Sequence, residues 1–129
     1  MQNAKTALVV DDDEDFVIQQ KSALEKLGFT VTTASGRVDA LEKLEQVKPD
    51  LAVVDLMMEE MDGGFVLAHQ IKRRYPEARV ILVTAVTGET GLQFDADGQG
   101  PRRWIKADAV LAKPVRFEQL KREIERVLA

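Results

Sequence analysis

Five carboxylates stand directly after a short apolar run in the stretch ALVVDDDEDF, residues 7–16. They are Asp11, Asp12, Asp13, Glu14 and Asp15. Like charges at this spacing repel one another, so that either water or a bound cation must make the arrangement tolerable. The stretch therefore raises the question of which of these acids serve a site and which serve the local structure.

Three further chemically capable residues also follow apolar runs. Asp55 closes the stretch DLAVVD, Thr84 follows VILV, and Lys113 follows AVLA. A carboxylate can act as a covalent nucleophile, a hydroxyl can donate a hydrogen bond, and a lysine supplies positive charge. Together with the acidic stretch, these residue types suit the transfer of a phosphoryl group, which mainly needs alignment and neutralisation of negative charge.

The elements that must position these residues are short strands alternating with helices. The apolar runs at residues 7–10, 29–33, 51–54, 80–83 and 109–112 are rich in β-branched residues and lack polar alternation, which is typical of strands buried on both faces of a parallel sheet. Strands that alternate with helices favour an α/β fold, a doubly wound five-stranded parallel sheet with helices on both faces.

Helical spacing recurs between the strands. The apolar stripe from Phe16 to Leu27 predicts a helix that stops at Gly28, and a second helix is predicted from near Ser35 to before Pro49. A third is predicted to run to Tyr75. The residues that mark the second, third and last helices are Val38, Leu41 and Leu44; Phe65, Ala68, Ile71 and Lys72; and Phe117, Leu120, Ile124, Val127 and Leu128.

Sites in open parallel sheets form beyond the carboxyl ends of the strands. Four of the five predicted strands end in a polar or charged residue, and the intervals between these residues each allow one or two strand–helix units. The sequence therefore predicts that Asp11, Asp12, Asp55, Thr84 and Lys113 lie on one rim. Each residue alone is most simply a cap or a solvated loop residue, but four strand ends together favour a site.

Composition limits the class of protein. The chain has 129 residues, of which 45% are hydrophobic and 31% charged, and we expect one globular domain over residues 1–129 without an output domain. The net charge of −4 gives no reason to expect nucleic-acid binding, and the lack of cysteine excludes disulfides and thiolate sites. No signal peptide or membrane span is predicted, so we expect a cytoplasmic protein that does not bind membranes.

Four blocks, VVDDDEDF, PDLAVVDLMMEEMDGG, VILVTA and LAKPV, resemble the motifs of response-regulator receiver domains. Their order and approximate spacing match from Ala7 to the last helix. The resemblance implies the strand order 2-1-3-4-5, Mg²⁺ in an acidic pocket, and phosphorylation of Asp55 by a histidine kinase or a phosphotransfer protein. It also implies an output protein as partner, a monomer or weak homodimer, and no turnover of an external substrate.

The resemblance and the residue types together assign the site. Asp12 and Asp55 are the expected direct Mg²⁺ ligands, with Asp11 close by, and the resemblance adds the main-chain carbonyl of Met57. Thr84 and Lys113 are expected to contact the phosphoryl group. Asp13, Glu14 and Asp15 are expected to serve the N-terminus of the first helix, where negative charge is favourable.

Three other features of the sequence suggest alternative sites. Asp11 and Asp13 have the D-x-D spacing of haloacid-dehalogenase-like phosphatases, but Asp15 stands where that family has threonine or valine. His69 has no second ligand and is expected at the surface. RRWIK, residues 102–106, is better interpreted as a packed Trp104 between solvated bases than as a nucleic-acid patch.

Three features depart from the receiver pattern. Glu59 stands where the family commonly has proline, and Val110 where it usually has a tyrosine or phenylalanine that reports phosphorylation. The interval from Thr84 to Lys113 is longer than usual, and we predict a loop at residues 86–100, moving over the Asp55 pocket on phosphorylation, and a short helix at residues 101–107. A scaffold that binds a partner independently of phosphorylation is therefore the alternative hypothesis.

Overall fold

A computed structural model of the chain describes residues 5–56, 63–84, 108–113 and 115–128. Within them lie five strands, β1 Lys5–Val10, β2 Phe29–Ala34, β3 Leu51–Asp55, β4 Arg79–Thr84 and β5 Ala109–Ala112, and four helices, α1 Glu14–Lys26, α2 Arg37–Leu44, α3 Gly63–Arg74 and α4 Phe117–Leu128. All four strand pairings are parallel and the order is β2-β1-β3-β4-β5. The predicted fold class and strand order are confirmed.

The core has two layers because successive side chains of a strand point to opposite faces of the sheet. On β1, Leu8 and Val10 face one layer, whereas Ala7 and Val9 face the other. Helices α2 and α3 cover the first layer, and α1 and α4 cover the second. The helical residues that are buried there are Ala40, Leu44, Leu67, Ala68 and Ile71 in the first layer, and Phe16, Leu24, Leu120, Ile124 and Val127 in the second.

The boundaries of α1 have clear local causes. Asp13 is the N-cap, and its side chain accepts hydrogen bonds from the backbone N–H groups of Asp15 and Phe16. Gly28 follows the C-cap with a φ of 98°, a conformation that costs glycine little. The predictions for the acidic N-terminus and for the glycine stop are both confirmed.

Helix α2 differs from its prediction in one respect. It begins at Arg37 and ends at Leu44, within the predicted range, but Val38 is 63% exposed and contributes nothing to the core. Ala40 and Leu44, four residues apart, make the fully buried stripe, and Leu41 packs against the same core layer. The spacing of Val38, Leu41 and Leu44 therefore identified the helix and two residues of its buried face, but not the exposure of Val38.

Two further predictions concern the surface. His69 is exposed, as expected. No helix in the described part of the chain is long and apolar enough to cross a membrane. The predicted loop at residues 86–100, the predicted helix at residues 101–107 with Trp104, and Glu59 lie outside the described residues.

Candidate functional site

The backbone at the carboxyl edge of the sheet is tied strand to strand where the site residues stand. The N–H of Asp11 donates to the carbonyl of Ala34 at 3.2 Å, and the N–H of Lys113 donates to the carbonyl of Thr84 at 2.8 Å. The N–H of Leu56, directly after Asp55, donates to Val83 at 2.7 Å. Sheet hydrogen bonding thus continues to the rim and fixes the Cα positions from which these side chains project.

Three carboxylates converge at this rim. One oxygen each from Asp11, Asp12 and Asp55 lies within 4.8 Å of the others. Asp11 and Asp55 are buried, with 1% and 5% of their surfaces exposed, whereas Asp12 is exposed. The close approach of three oxygen ligands, two of them buried, fits a hard divalent cation such as Mg²⁺, which binds through few carboxylates and keeps several waters.

Lys113 supplies positive charge to the cluster. Its Nζ lies 2.9 Å from Oδ2 of Asp11 and 3.9 Å from Oδ2 of Asp55. Oδ2 of Asp11 is fully buried, and its contact with Lys113 is a close ion pair. The other oxygen of Asp11 accepts a hydrogen bond from the N–H of Asp13 at 2.8 Å. Both oxygens of this buried carboxylate therefore have a contact within the protein.

The electrostatic balance shows in the pKa of Lys113. Burial lowers this pKa, but the close contact with Asp11 and the negative charges of Asp55, Asp11 and Asp13 outweigh burial and raise the pKa above its usual value. The ammonium is therefore held in its charged form. Within the described residues, the three converging carboxylates outnumber the one lysine that contacts them, so this part of the site has an excess of negative charge.

Of the residues predicted from the sequence, the structure brings five to the same rim, namely Asp11, Asp12, Asp55, Thr84 and Lys113. Thr84 is buried at the end of β4, where it pairs with Ala112, the neighbour of Lys113. Met57 lies outside the described residues. The roles assigned to these residues stay predictions.

Two residues at the site were not predicted. Phe16 places its ring under Lys113, with Nζ 4.4 Å from the ring centroid. No role at the site was predicted for Gly64, yet a Cβ there would overlap the carbonyl oxygen of Asp55 and the Cα of Leu56. Gly64 is the second residue of α3 and precedes the apolar stripe that marks this helix, so nothing in the sequence signals the close approach. For Phe16 the sequence offers no signal beyond its place in an apolar stripe.

Comparison with known proteins identifies a family whose members resemble this chain. The family model for the response regulator receiver domain matches residues 7–125. The chemotaxis protein CheY of Listeria monocytogenes is 36% identical over 109 residues, which cover 81% of this chain and 90% of CheY. The transcriptional regulatory protein PhoP of Bacillus subtilis is 37% identical over 97 residues, or 72% of this chain, but the chain spans only 40% of the length of PhoP.

Among solved structures, the response regulator TrrA of Thermotoga maritima is similar throughout. The structure of TrrA was determined in complex with Mg(2+)-BeF. Its similarity to this chain has a TM-score of 0.75 and 28% sequence identity, and it covers 95% of this chain and 98% of TrrA.

Proposed function

The chain belongs to the response regulator receiver domain family, and we propose that it accepts a phosphoryl group on Asp55. The donor would be a phosphohistidine of a histidine kinase or of a phosphotransfer protein. One observation carries the proposal: the buried carboxylate of Asp55, at the end of a central strand, faces two other acids and the ammonium of Lys113.

The chemistry of transfer follows from the carboxylate. An oxygen of Asp55 forms the new P–O bond while the P–N bond to the donor imidazole breaks, and the imidazole keeps the bonding electron pair. No atom of the protein has to lose a proton, because a carboxylate is already the nucleophilic form at neutral pH. Alignment and charge neutralisation are then what the protein must supply.

Lys113 and Thr84 would contribute both to alignment and to charge neutralisation. The ammonium of Lys113 is 3.9 Å from Oδ2 of Asp55, so that it can reach a phosphoryl oxygen attached there. Thr84 ends the strand next to β3, and its hydroxyl would donate a hydrogen bond to another phosphoryl oxygen. Each residue would stabilise negative charge that spreads over the phosphoryl group during transfer.

The acidic cluster would hold Mg²⁺. Asp12 and Asp55 would ligate it directly and Asp11 would lie beside it, with the main-chain carbonyl of Met57 as a further ligand. When bound, Mg²⁺ supplies positive charge that neutralises the acids and the incoming phosphoryl group. Asp12 suits this role because it is exposed and free of the ion pair that engages Asp11.

In this proposal the chain is a single receiver domain that signals through a partner protein rather than turning over an external substrate. A scaffold that binds its partner independently of phosphorylation is the second candidate. One feature favours it: Val110, half-buried against the core, lacks the ring with which receivers report phosphorylation. Equal binding of an isolated partner to the phosphorylated and unphosphorylated forms would favour the scaffold.

The phosphoacceptor role can be tested by intact-mass measurement after incubation with a small phosphodonor. With Mg²⁺ the protein should gain one phosphoryl group, and without divalent metal it should gain none. Asp55→Asn should abolish labelling. Asp50→Asn, an exposed site directly before the same strand, is the matched control and should label normally. Labelling of Asp55→Asn at the parent rate would reject the assignment.

A further inference from the structure

Phe16 contributes an aromatic face to the site. It lies in the first turn of α1 and is only 7% exposed, within the core layer formed with α4. Its ring faces the ammonium of Lys113 at 4.4 Å from the centroid. That distance is well inside the range of about 6 Å over which the negative face of a ring attracts a cation.

Four contacts form a closed circuit that connects α1 with the ends of the strands. The N–H of Asp13 donates to Oδ1 of Asp11, and the N–H of Phe16 donates to Oδ1 of Asp13. The aromatic ring of Phe16 contacts the ammonium of Lys113, and this ammonium forms an ion pair with Oδ2 of Asp11, which completes the circuit. The cap that starts α1 therefore also fixes where the aromatic ring stands relative to the ammonium.

We propose that Phe16 is a positioning residue for Lys113, holding the ammonium beside Asp55 by a cation–π contact while the phosphoryl group is transferred. Only the role of Phe16 during phosphoryl transfer rests on the proposed function. The contact itself is a property of the resting protein.

The contact matters because the other attractions on Lys113 are not constant. A cation bound between the acids competes with Lys113 for the charge of Asp11 and Asp55. The face of Phe16 cannot be neutralised in this way, because its attraction comes from the ring quadrupole. A lysine side chain has several rotatable bonds and would otherwise leave the site when its ion pairs weaken. Phe16 thus keeps the ammonium in reach when the metal is bound.

Graded fluorination of the ring tests the contact without changing the fold. Phe16 is replaced with phenylalanine carrying one, two or three fluorines, which weakens the negative face at nearly constant shape. NMR relaxation of the Lys113 side chain is then measured in the Mg²⁺-loaded, unphosphorylated protein, and the rate of labelling by a small phosphodonor is measured in parallel. We expect Lys113 to become more mobile and labelling to slow stepwise, by about two- to tenfold at three fluorines.

Phe29 is the matched control. It lies in the same core layer and is 8% exposed, but it is the first residue of β2. It therefore stands at the amino ends of the strands, whereas the site lies at their carboxyl ends. The same fluorinated residues at Phe29 should leave both readouts unchanged. Phe16→Tyr, which keeps the aromatic face, should hold Lys113 better than Phe16→Met, which keeps only the bulk.

The two readouts separate failure of this inference from failure of the proposed function. An unlabelled parent protein would reject phosphoacceptance, while Lys113 mobility across the series would still decide the positioning role. The inference would be overturned by any of three results. These are a Lys113 mobility that stays constant across the series, equal effects of fluorination at Phe29, and a labelling rate that does not change when Lys113 becomes more mobile.

Discussion

Lys113 lies closer to Asp11 than to Asp55, with Nζ 2.9 Å from Oδ2 of the first and 3.9 Å from Oδ2 of the second. The residue that neutralises the buried Asp11 in the resting protein is therefore also within reach of the proposed phosphoacceptor. A small movement of the ammonium would exchange one partner for the other.

Removing Lys113 should destabilise the metal-free protein at neutral pH. Lys113→Met leaves the buried carboxylate of Asp11 without its counter-charge, at a cost of roughly 1–3 kcal/mol in the free energy of unfolding. Because the pKa of Lys113 is raised in the fold from 10.5, its contribution is fully present below 10.5 and is lost as the pH rises through the folded pKa. Urea unfolding of both proteins with a chelator present, from about pH 8 to about pH 12, measures this difference. A difference that grows with pH would contradict the ion pair.

Magnesium should raise the melting temperature, because it binds the folded state selectively and relieves repulsion among the three acids. At ten times the dissociation constant the gain is about 1.4 kcal/mol. Asp12→Asn should weaken the magnesium effect while keeping or raising stability without metal. Asp15→Asn makes the same change of charge in the first turn of α1, outside the cluster, and should leave the magnesium effect intact. A parent protein whose melting temperature ignores millimolar magnesium would exclude a metal site here.

Gly64→Ala should both destabilise the protein and slow phosphorylation. The new Cβ would overlap the backbone of Asp55 and Leu56, so either α3 or the end of β3 must shift, at roughly 1–3 kcal/mol. Gly28→Ala is the control, because it strains a positive φ, its Cβ would meet no atom of the described residues within 4 Å, and it stands far along the chain from the site residues. It should lower stability without slowing labelling. Equal labelling rates for the two variants would show that Gly64 does not position Asp55.

Replacing Gln20 should stabilise the protein. Gln20 is 2% exposed on α1, and its Oε1 is buried with no hydrogen-bond partner in the described part of the chain. Gln20→Leu removes this acceptor at nearly the same volume and should raise the free energy of unfolding by about 1 kcal/mol or more. Gln19→Leu, on the exposed side of the same helix, should change stability little. Loss of stability in Gln20→Leu would indicate that the amide is satisfied by water.

Much of this architecture could be predicted from the sequence, for identifiable reasons. Parallel strands buried on both faces are continuous apolar runs, and the first polar residue after each run must stand at the carboxyl edge. That reasoning located Asp11, Asp55 and Lys113. It could not find the contact between Phe16 and Lys113, because the helical pattern indicates burial but not which side chain a ring will face.

The exposed Val38 has a related cause. In a helix of only eight residues, alternative stripes such as Val38–Leu41–Leu44 and Ala40–Leu44 fit the helical period almost equally well. The sheet, rather than the helix sequence, decides which stripe is buried. Small residues such as Ala40 are favoured where the helix approaches the sheet closely, a requirement that hydrophobicity alone does not reveal.

Chemical identification of the phosphorylated residue is the most direct test of whether Asp55 accepts the phosphoryl group. After labelling with a small phosphodonor and Mg²⁺, reduction with borohydride converts an aspartyl phosphate to homoserine, and peptide mass spectrometry then locates the changed residue. We expect homoserine at position 55 alone, with none formed when the phosphodonor or the metal is omitted. Homoserine at Asp11 or Asp12, or a labelled protein in which Asp55 is unchanged, would contradict this expectation.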